Sequence, residues 1–76
     1  MTEREWRRLF ADRLSTIMRC NNASRQGVVR ASGISEGSLS YYLSGQKTPS
    51  IKAVINLAYT LECTVEDLID FGEQIL

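Results

Sequence analysis

The chain has 76 residues, of which 43% are hydrophobic and 24% are charged, a balance typical of one small globular domain rather than of a disordered chain. Its apolar runs are too short to cross a bilayer, and its charged N-terminus lacks the apolar segment of a signal peptide. We therefore expect a single cytoplasmic domain over residues 1–76. Because the chain has no histidine, its two cysteines, Cys20 and Cys63, do not suggest a zinc site, and we expect neither a metal nor a cofactor.

The charges divide along the chain although their total is zero. Residues 1–52 contain all nine basic residues and four acidic residues, for a net charge of +5. Residues 53–76 contain five acidic residues and no basic residue, for a net charge of −5. Such a dipole can direct one end of a neutral molecule toward phosphate, although solvated helix faces produce the same pattern.

Five segments show the spacing of amphipathic helices, and no segment alternates as a half-buried strand does. Each segment follows a hydroxyl residue that can cap a helix: Thr2, Ser24, Ser35, Ser50 and Thr64. Thr2 with Glu5 and Thr64 with Asp67 also have the spacing of a capping box. The predicted helices cover residues 3–20, 25–32, 36–44, 51–61 and 65–72. The spacing therefore predicts an all-α fold of five helices.

The apolar positions predict which faces of these helices are buried. The fourth helix has the clearest amphipathic pattern, in which the expected core residues are Ile51, Val54, Ile55, Ala58 and Leu61. In the first helix, Trp6 is expected to cover one end of the core. In the third helix, Tyr42 is expected in the core, and Tyr41 is expected outside because adjacent helical residues point about 100° apart.

Residues 24–50 combine two short helices with a tight turn that contains Gly33, which is the arrangement of a helix-turn-helix motif. Glycine suits this turn because it adopts positive φ without strain. The second of the two helices has a polar outer face, made of Glu36, Gly37, Ser38, Ser40, Tyr41 and Ser44. A short, protruding helix of this kind fits the major groove of DNA, where its first residues reach the base edges.

The chain resembles the phage repressor/Cro type (XRE-like) helix-turn-helix family over roughly residues 8–70. The resemblance depends on an ordered set of short features: Gly33-Ile34-Ser35, Leu39, Tyr42-Leu43-Ser44-Gly45, Pro49-Ser50, Leu57-Ala58 with Leu61, and Thr64-Val65-Glu66-Asp67-Leu68. It implies a lambda-repressor-like fold. It also implies a bacterial or phage-encoded regulator, most often a repressor, that binds double-stranded DNA at a palindromic operator.

The resemblance implies a role for each matching position. The residues implied to contact bases are Glu36, Gly37, Ser38 and Tyr41. The residues implied to contact phosphates are Arg25, Gln26, Ser40, Ser44, Gln46 and Lys47. We expect the arginines of the first helix to form a solvated face; the alternative is that some of them contact flanking phosphates. These residues are Arg4, Arg7, Arg8 and Arg13.

The third helix departs from the family pattern in two ways. It contains no Lys or Arg, so the commonest contact to guanine is absent. The basic residue and the glutamate that many members pair between the first and third helices are replaced by Met18 and Leu43. This joint replacement avoids a buried unpaired charge.

The C-terminal apolar residues Phe71, Ile75 and Leu76 leave two alternatives. They could fold onto the core of their own chain, or they could form the two-fold interface common in this family. Exposed apolar clusters usually mark contacts, which favours the interface. We therefore expect a homodimer whose recognition helices bind half-sites about 34 Å apart.

Two other functions are weighed against DNA binding. The neutral total charge and the lack of basic residues in the third helix also suit a protein-interaction module with weak DNA binding, whose partner would be a toxin, an anti-repressor or a polymerase subunit. An enzyme is disfavoured because the chain has no histidine, no cysteine–base pair and no glycine-rich phosphate loop. We expect no small-molecule substrate and no membrane as partner.

Overall fold

The computed structural model describes residues 1–72, so the predicted interface residues Ile75 and Leu76 lie outside the described residues. Within this range there are five helices and no strand. The helices are α1 (Glu3–Cys20), α2 (Arg25–Ser32), α3 (Glu36–Leu43), α4 (Ile51–Thr60) and α5 (Val65–Ile69). The predicted all-α, five-helix class is confirmed.

A hydroxyl side chain caps the N-terminus of each of these helices, as predicted. Each hydroxyl oxygen accepts a hydrogen bond from the backbone N–H three residues later; the caps are Thr2, Ser24, Ser35, Ser50 and Thr64. Asp67 accepts in return from the backbone N–H of Thr64 at 3.0 Å, which completes the capping box of α5. At the start of α1, the carboxylate of Glu5 instead accepts from the hydroxyl of Thr2, so only half of the predicted box forms.

Each of the first four helices is followed within two residues by a residue with positive φ. These residues are Asn22, Gly33, Gly45 and Glu62, with φ between 53° and 76°. After α4, this conformation lets the N–H of Cys63 donate to the carbonyl of Ala58 at 3.0 Å, which satisfies a carbonyl that the helix leaves unpaired. The sequence does not predict Glu62 in this role, because a non-glycine residue other than Asn or Asp seldom has positive φ.

Helix α5 is shorter than predicted, since it ends at Ile69 rather than at residue 72. Asp70 has an extended conformation, and its carboxylate accepts from the N–H of Gly72 at 2.9 Å. This local bond competes with helical hydrogen bonding, and the φ of 64° at Gly72 also departs from a helix. Helices α3 and α4 each end one residue before the predicted position, where Ser44 and Leu61 are C-caps.

The described helices share one hydrophobic core. Helix α1 packs against α3 and α5, while α4 packs against α2 and α5. The largest fully buried side chains are Phe10, Leu14, Val28, Leu39, Leu57 and Leu68. Trp6 is partly buried against this core and stacks on Phe10 with the ring centroids 5.6 Å apart, in agreement with the role predicted for it.

The buried face of α4 differs from the prediction. Ile51 and Ile55 are 69% and 51% exposed, although the spacing predicts that both face the core. Leu57, which is outside the predicted set, is fully buried. Most positions of α4 are apolar, so periodicity alone does not define its inner face. Packing against α2 and α5 decides which residues are covered.

Candidate nucleic-acid interface

A tight turn joins α2 to α3. Gly33 ends α2 with a φ of 76°, and its N–H donates to the carbonyl of Val29. The hydroxyl of Ser32 accepts from the N–H of Ile34 at 3.1 Å, and Ser35 then caps α3. The backbone N–H groups of Gly33 and Ile34 therefore have partners within the motif, and the predicted helix-turn-helix arrangement is present.

Helix α3 is attached to the core by one face only. Leu39 and Tyr42 are buried, and the ring of Tyr42 meets that of Phe10 edge to face with the centroids 6.3 Å apart. Tyr41 is 51% exposed. The two adjacent tyrosines thus divide between core and solvent as predicted.

The residues predicted to contact bases lie together on the outer side of α3. Glu36 and Gly37 are exposed, and Ser38 is half-buried. Because Gly37 and Ser38 precede Tyr41 by four and three positions, all three lie on one face. The start of α3 therefore presents a hydroxyl, a phenol and an uncovered backbone segment to the same side of the molecule, and the exposed carboxylate of Glu36 lies at the flank of this face.

Arg25 connects the two helices of the motif. Its Nη1 donates to the hydroxyl oxygen of Ser40 at 3.1 Å, which joins the first residue of α2 to α3. This bond holds the guanidinium beside the outer face of α3, and a guanidinium has further donors available for an anion. Gln26 is exposed next to it, at the N-terminal end of α2 where the helix dipole favours negative charge.

The loop between α3 and α4 contains the other residues predicted to contact phosphate. The hydroxyl of Ser44 donates to the carbonyl of Tyr41 at 3.2 Å, and the N–H of Gln46 donates to the same carbonyl at 2.9 Å. The side chains of Gln46 and Lys47 are exposed. These bonds fold the loop into a compact turn that presents both side chains next to the end of α3.

This loop lies against α1. A Cβ atom added to Gly45 would be 3.6 Å from the Cα of Arg8, so the loop and the helix backbone are in close contact. The hydroxyl of Thr48 also donates to the carboxylate of Glu3 at 2.7 Å. Sequence reasoning missed this contact, because only the packing of α1 on α3 brings residues so far apart in the chain together.

A cleft of about 690 Å³ opens between α1 and the loop. Its lining residues are Arg4, Glu5, Arg7, Arg8, Ser44, Gly45 and Gln46. Three arginines of α1 thus border two residues predicted to contact phosphate. Arg13 has a different role, since its Nη1 donates to the carbonyl of Asp67 at 2.7 Å and its guanidinium lies 5.9 Å from the centre of the Phe71 ring.

The acidic part of the chain is separated in space from α3. Helix α5 packs against α1 and α4 but makes no contact with α3. The acidic side chains of residues 62–70 are all exposed. The acidic groups of α5 therefore lie away from α3, which favours the approach of a polyanion from the side of α3.

The two thiols are free; Cys20 is exposed and Cys63 is half-buried. Burial raises the pKa of the Cys63 thiol, and the carboxylate of Asp67 raises it further. A thiol that stays protonated is a poor nucleophile and a poor metal ligand. Over residues 1–72 no group of thiol and carboxylate side chains is arranged to hold a metal ion.

In the same range no helix has both the length and the apolar character required to span a membrane.

Phe71 folds onto the core of its own chain. Only 8% of its surface is exposed, and its ring packs edge to face on Trp6. Phe71 therefore follows the alternative that it folds onto its own chain, and little of its surface is left for a partner. The dimer interface itself stays a prediction. Three exposed apolar side chains form a stripe at four-residue spacing on α4 instead; this α4 stripe consists of Ile51, Ile55 and Tyr59.

Comparisons with known proteins agree with this geometry. The family model of the Cro/C1-type HTH DNA-binding domain matches residues 13–74. The structure is similar to that of the restriction-modification controller protein C.AhdI from Aeromonas hydrophila, with a TM-score of 0.78 and 21% identity over 82% of this chain and 94% of that chain. It is also similar to an HTH_3 family transcriptional regulator from Vibrio cholerae, with a TM-score of 0.88 and 20% identity. That match covers 99% of this chain but 42% of the other chain. The comparison with curated proteins finds no match.

Proposed function

Because this chain belongs to the Cro/C1-type helix-turn-helix DNA-binding domain family, we propose that it is a sequence-specific transcriptional regulator that binds double-stranded DNA. It inserts α3 into the major groove of a palindromic operator and represses by covering a promoter. The observation that carries this proposal is the shape of α3, whose inner face is anchored by Leu39 and Tyr42 while its first turns project polar groups into solvent.

Base recognition in this proposal uses neutral and acidic groups rather than a basic side chain. The hydroxyls of Ser38 and Tyr41 can donate to or accept from base edges, and the carboxylate of Glu36 can accept from the amino group of cytosine. Gly37 exposes backbone at the same place, since an added Cβ would have no atom within 4 Å. The backbone can therefore approach the groove closely.

Phosphate binding in this proposal comes from both sides of α3. Arg25 and Gln26 lie at the N-terminus of α2, and Gln46 with Lys47 lies in the loop that follows α3. The bond between Arg25 and Ser40 orients the guanidinium before DNA binds, which lowers the conformational entropy that binding would otherwise cost. Contacts of this kind set the position of α3 on the duplex without reading its sequence.

The proposal includes a homodimer, in which a second copy of the chain covers the α4 stripe. A palindromic operator requires two recognition helices related by a two-fold axis. Helix α4 has one charged residue, Lys52, so its exposed apolar side chains can meet those of another α4 without burying an acidic group. The C.AhdI controller protein and the Vibrio cholerae regulator support the fold of each protomer.

The proposal is tested by selecting binding sites from random duplex DNA with the purified protein and titrating the selected duplex at several salt concentrations. We expect a palindromic site whose affinity falls as salt rises, because phosphate binding releases counterions. Ser38→Ala and Tyr41→Ala should each weaken binding to the selected site by about tenfold or more while leaving non-specific affinity unchanged. Thr16→Ala, which removes an exposed hydroxyl from α1, is the matched control and should bind as the parent does.

A second candidate function is a protein-interaction module with weak DNA binding. It is favoured by the absence of Lys and Arg from α3 and by the exposed α4 stripe. A selection without any enriched sequence, together with affinity that never exceeds non-specific levels, would support this module and exclude the regulator.

A further inference from the structure

We propose that Arg4 and Arg8 extend the phosphate-binding surface from the loop after α3 onto α1, so that the chain also binds the DNA backbone that flanks each half-site. This inference rests on the proposed function, because it concerns how the same surface continues. The ligand is the phosphodiester backbone of the duplex. Base edges are not involved, since the cleft lies beside the recognition helix rather than on its outer face.

The cleft between α1 and the loop has the composition of an anion site. Arg4, Arg7 and Arg8 line it together with the hydroxyl residue Ser44 and the amide residue Gln46. Guanidinium groups bind phosphate with two parallel hydrogen bonds, and hydroxyl and amide groups commonly add further contacts to a DNA backbone. The volume of about 690 Å³ leaves room for a backbone segment of the duplex.

The charges within the cleft identify which arginines are available. Arg7 pairs with the carboxylate of Glu3 at 3.6 Å and is therefore partly neutralised. Arg4 and Arg8 make no ion pair with any residue of the range 1–72 and are both exposed. Glu5 is the one acidic side chain in the lining, so three cations face one anion there. Arg4 and Arg8 are four positions apart on α1, which places them side by side.

The position of the cleft relative to α3 is fixed by direct contacts. Gly45 approaches the backbone of Arg8, and the hydroxyl of Thr48 bonds to Glu3 at the start of α1. The loop that contains Gln46 and Lys47 therefore cannot approach the duplex without bringing the N-terminal half of α1 with it. The arginines precede residue 13, where the family match begins, so this contact lies outside the segment that the family model describes.

The test measures how affinity depends on salt for the parent chain and for the double variant Arg4→Gln, Arg8→Gln. Two duplexes carry the selected site: one ends at the outer edge of each half-site, and the other extends about six base pairs, or roughly 20 Å of helix axis, beyond it. The control is the double variant Arg19→Gln, Arg30→Gln, which removes the same charge from two exposed positions outside the cleft. Circular dichroism melts check that all variants fold.

On the extended duplex, the Arg4→Gln, Arg8→Gln variant should bind roughly tenfold more weakly, and its salt slope should fall by about two per bound protomer. On the short duplex it should bind as the parent does, and the control should match the parent on both. If parent and variant have equal slopes on the extended duplex while Tyr41→Ala still weakens binding, this inference is wrong and the proposed function stands. If the parent binds neither duplex above non-specific levels, both this inference and the proposed function are wrong.

Discussion

The indole of Trp6 meets the ring of Phe71 edge to face, with the ring centroids 5.7 Å apart and the ring planes at 73°. Trp6 lies in the first turns of α1, and Phe71 follows α5, so this contact joins the two ends of the described chain. The guanidinium of Arg13 lies over the ring of Phe71, with its Cζ atom 5.9 Å from the ring centroid. The aromatic contact therefore stabilises the end of α5 on α1.

Phe71→Ala should lower the free energy of unfolding by about 3 kcal/mol, because it removes a buried aromatic ring and leaves a cavity beside Trp6. Chemical denaturation of the variant and the parent measures this change. Tyr41→Phe is the control, since Tyr41 is 51% exposed and lies outside the α4 stripe, so stability should change by less than about 0.5 kcal/mol. If Phe71→Ala changes the oligomeric state but leaves the stability of the monomer unchanged, Phe71 lies in a dimer interface.

Ile55→Glu combined with Tyr59→Glu should dissociate the proposed homodimer, because two added carboxylates would face their copies across the two-fold axis. Sedimentation velocity should show a monomer, and affinity for the palindromic site should fall while each protomer keeps the helical circular dichroism spectrum of the parent. Thr16→Glu combined with Arg19→Glu places carboxylates at two exposed positions on α1 and should remain dimeric. A dimer that survives the changes on α4 would show that the α4 stripe is not the interface.

Glu62→Gly should raise the free energy of unfolding by about 1 kcal/mol, since Glu62 has a φ of 54° and glycine adopts that conformation without a steric penalty. Thermal and chemical denaturation measure the gain. Glu66→Gly is the matched change at an exposed helical position of α5 and should lower stability by about 1 kcal/mol. If Glu62→Gly and Glu66→Gly change the free energy of unfolding in the same direction, Glu62 is not strained.

Gly37→Ala should raise the free energy of unfolding by about 0.5 kcal/mol, because Gly37 is helical and an added Cβ meets no atom within 4 Å. The same change should weaken binding to the selected duplex about tenfold if backbone approaches the bases there. Gly33→Ala should instead lower the free energy of unfolding by about 1 kcal/mol, because Gly33 has a φ of 76° and alanine is strained in that conformation. Gly37→Ala with unchanged affinity would show that residue 37 does not approach the duplex.

The local features of this chain follow from its sequence. Hydroxyl residues at positions 2, 24, 35, 50 and 64 start the helices, and glycine at positions 33 and 45 ends two of them, because capping depends on a few neighbouring backbone groups. The division between Tyr41 and Tyr42 is equally local, since it follows from the rotation per residue of a helix and from a single buried face. These features were sufficient to predict the five-helix class, whereas the family was predicted from the resemblance of an ordered set of motifs.

The sequence did not determine features that depend on how the helices pack. The inner face of α4 required α2 and α5 in place, because most of its positions are apolar and any of several faces could have been buried. The contact of Phe71 with Trp6 also required the packing of α5 on α1, and periodicity does not reveal it. The arginine cleft likewise exists only because α1 packs on α3 and brings Arg4 and Arg8 beside the loop at Gly45. Capping and periodicity act over a few residues, whereas these contacts join positions dozens of residues apart, and only the tertiary structure decides which of them form.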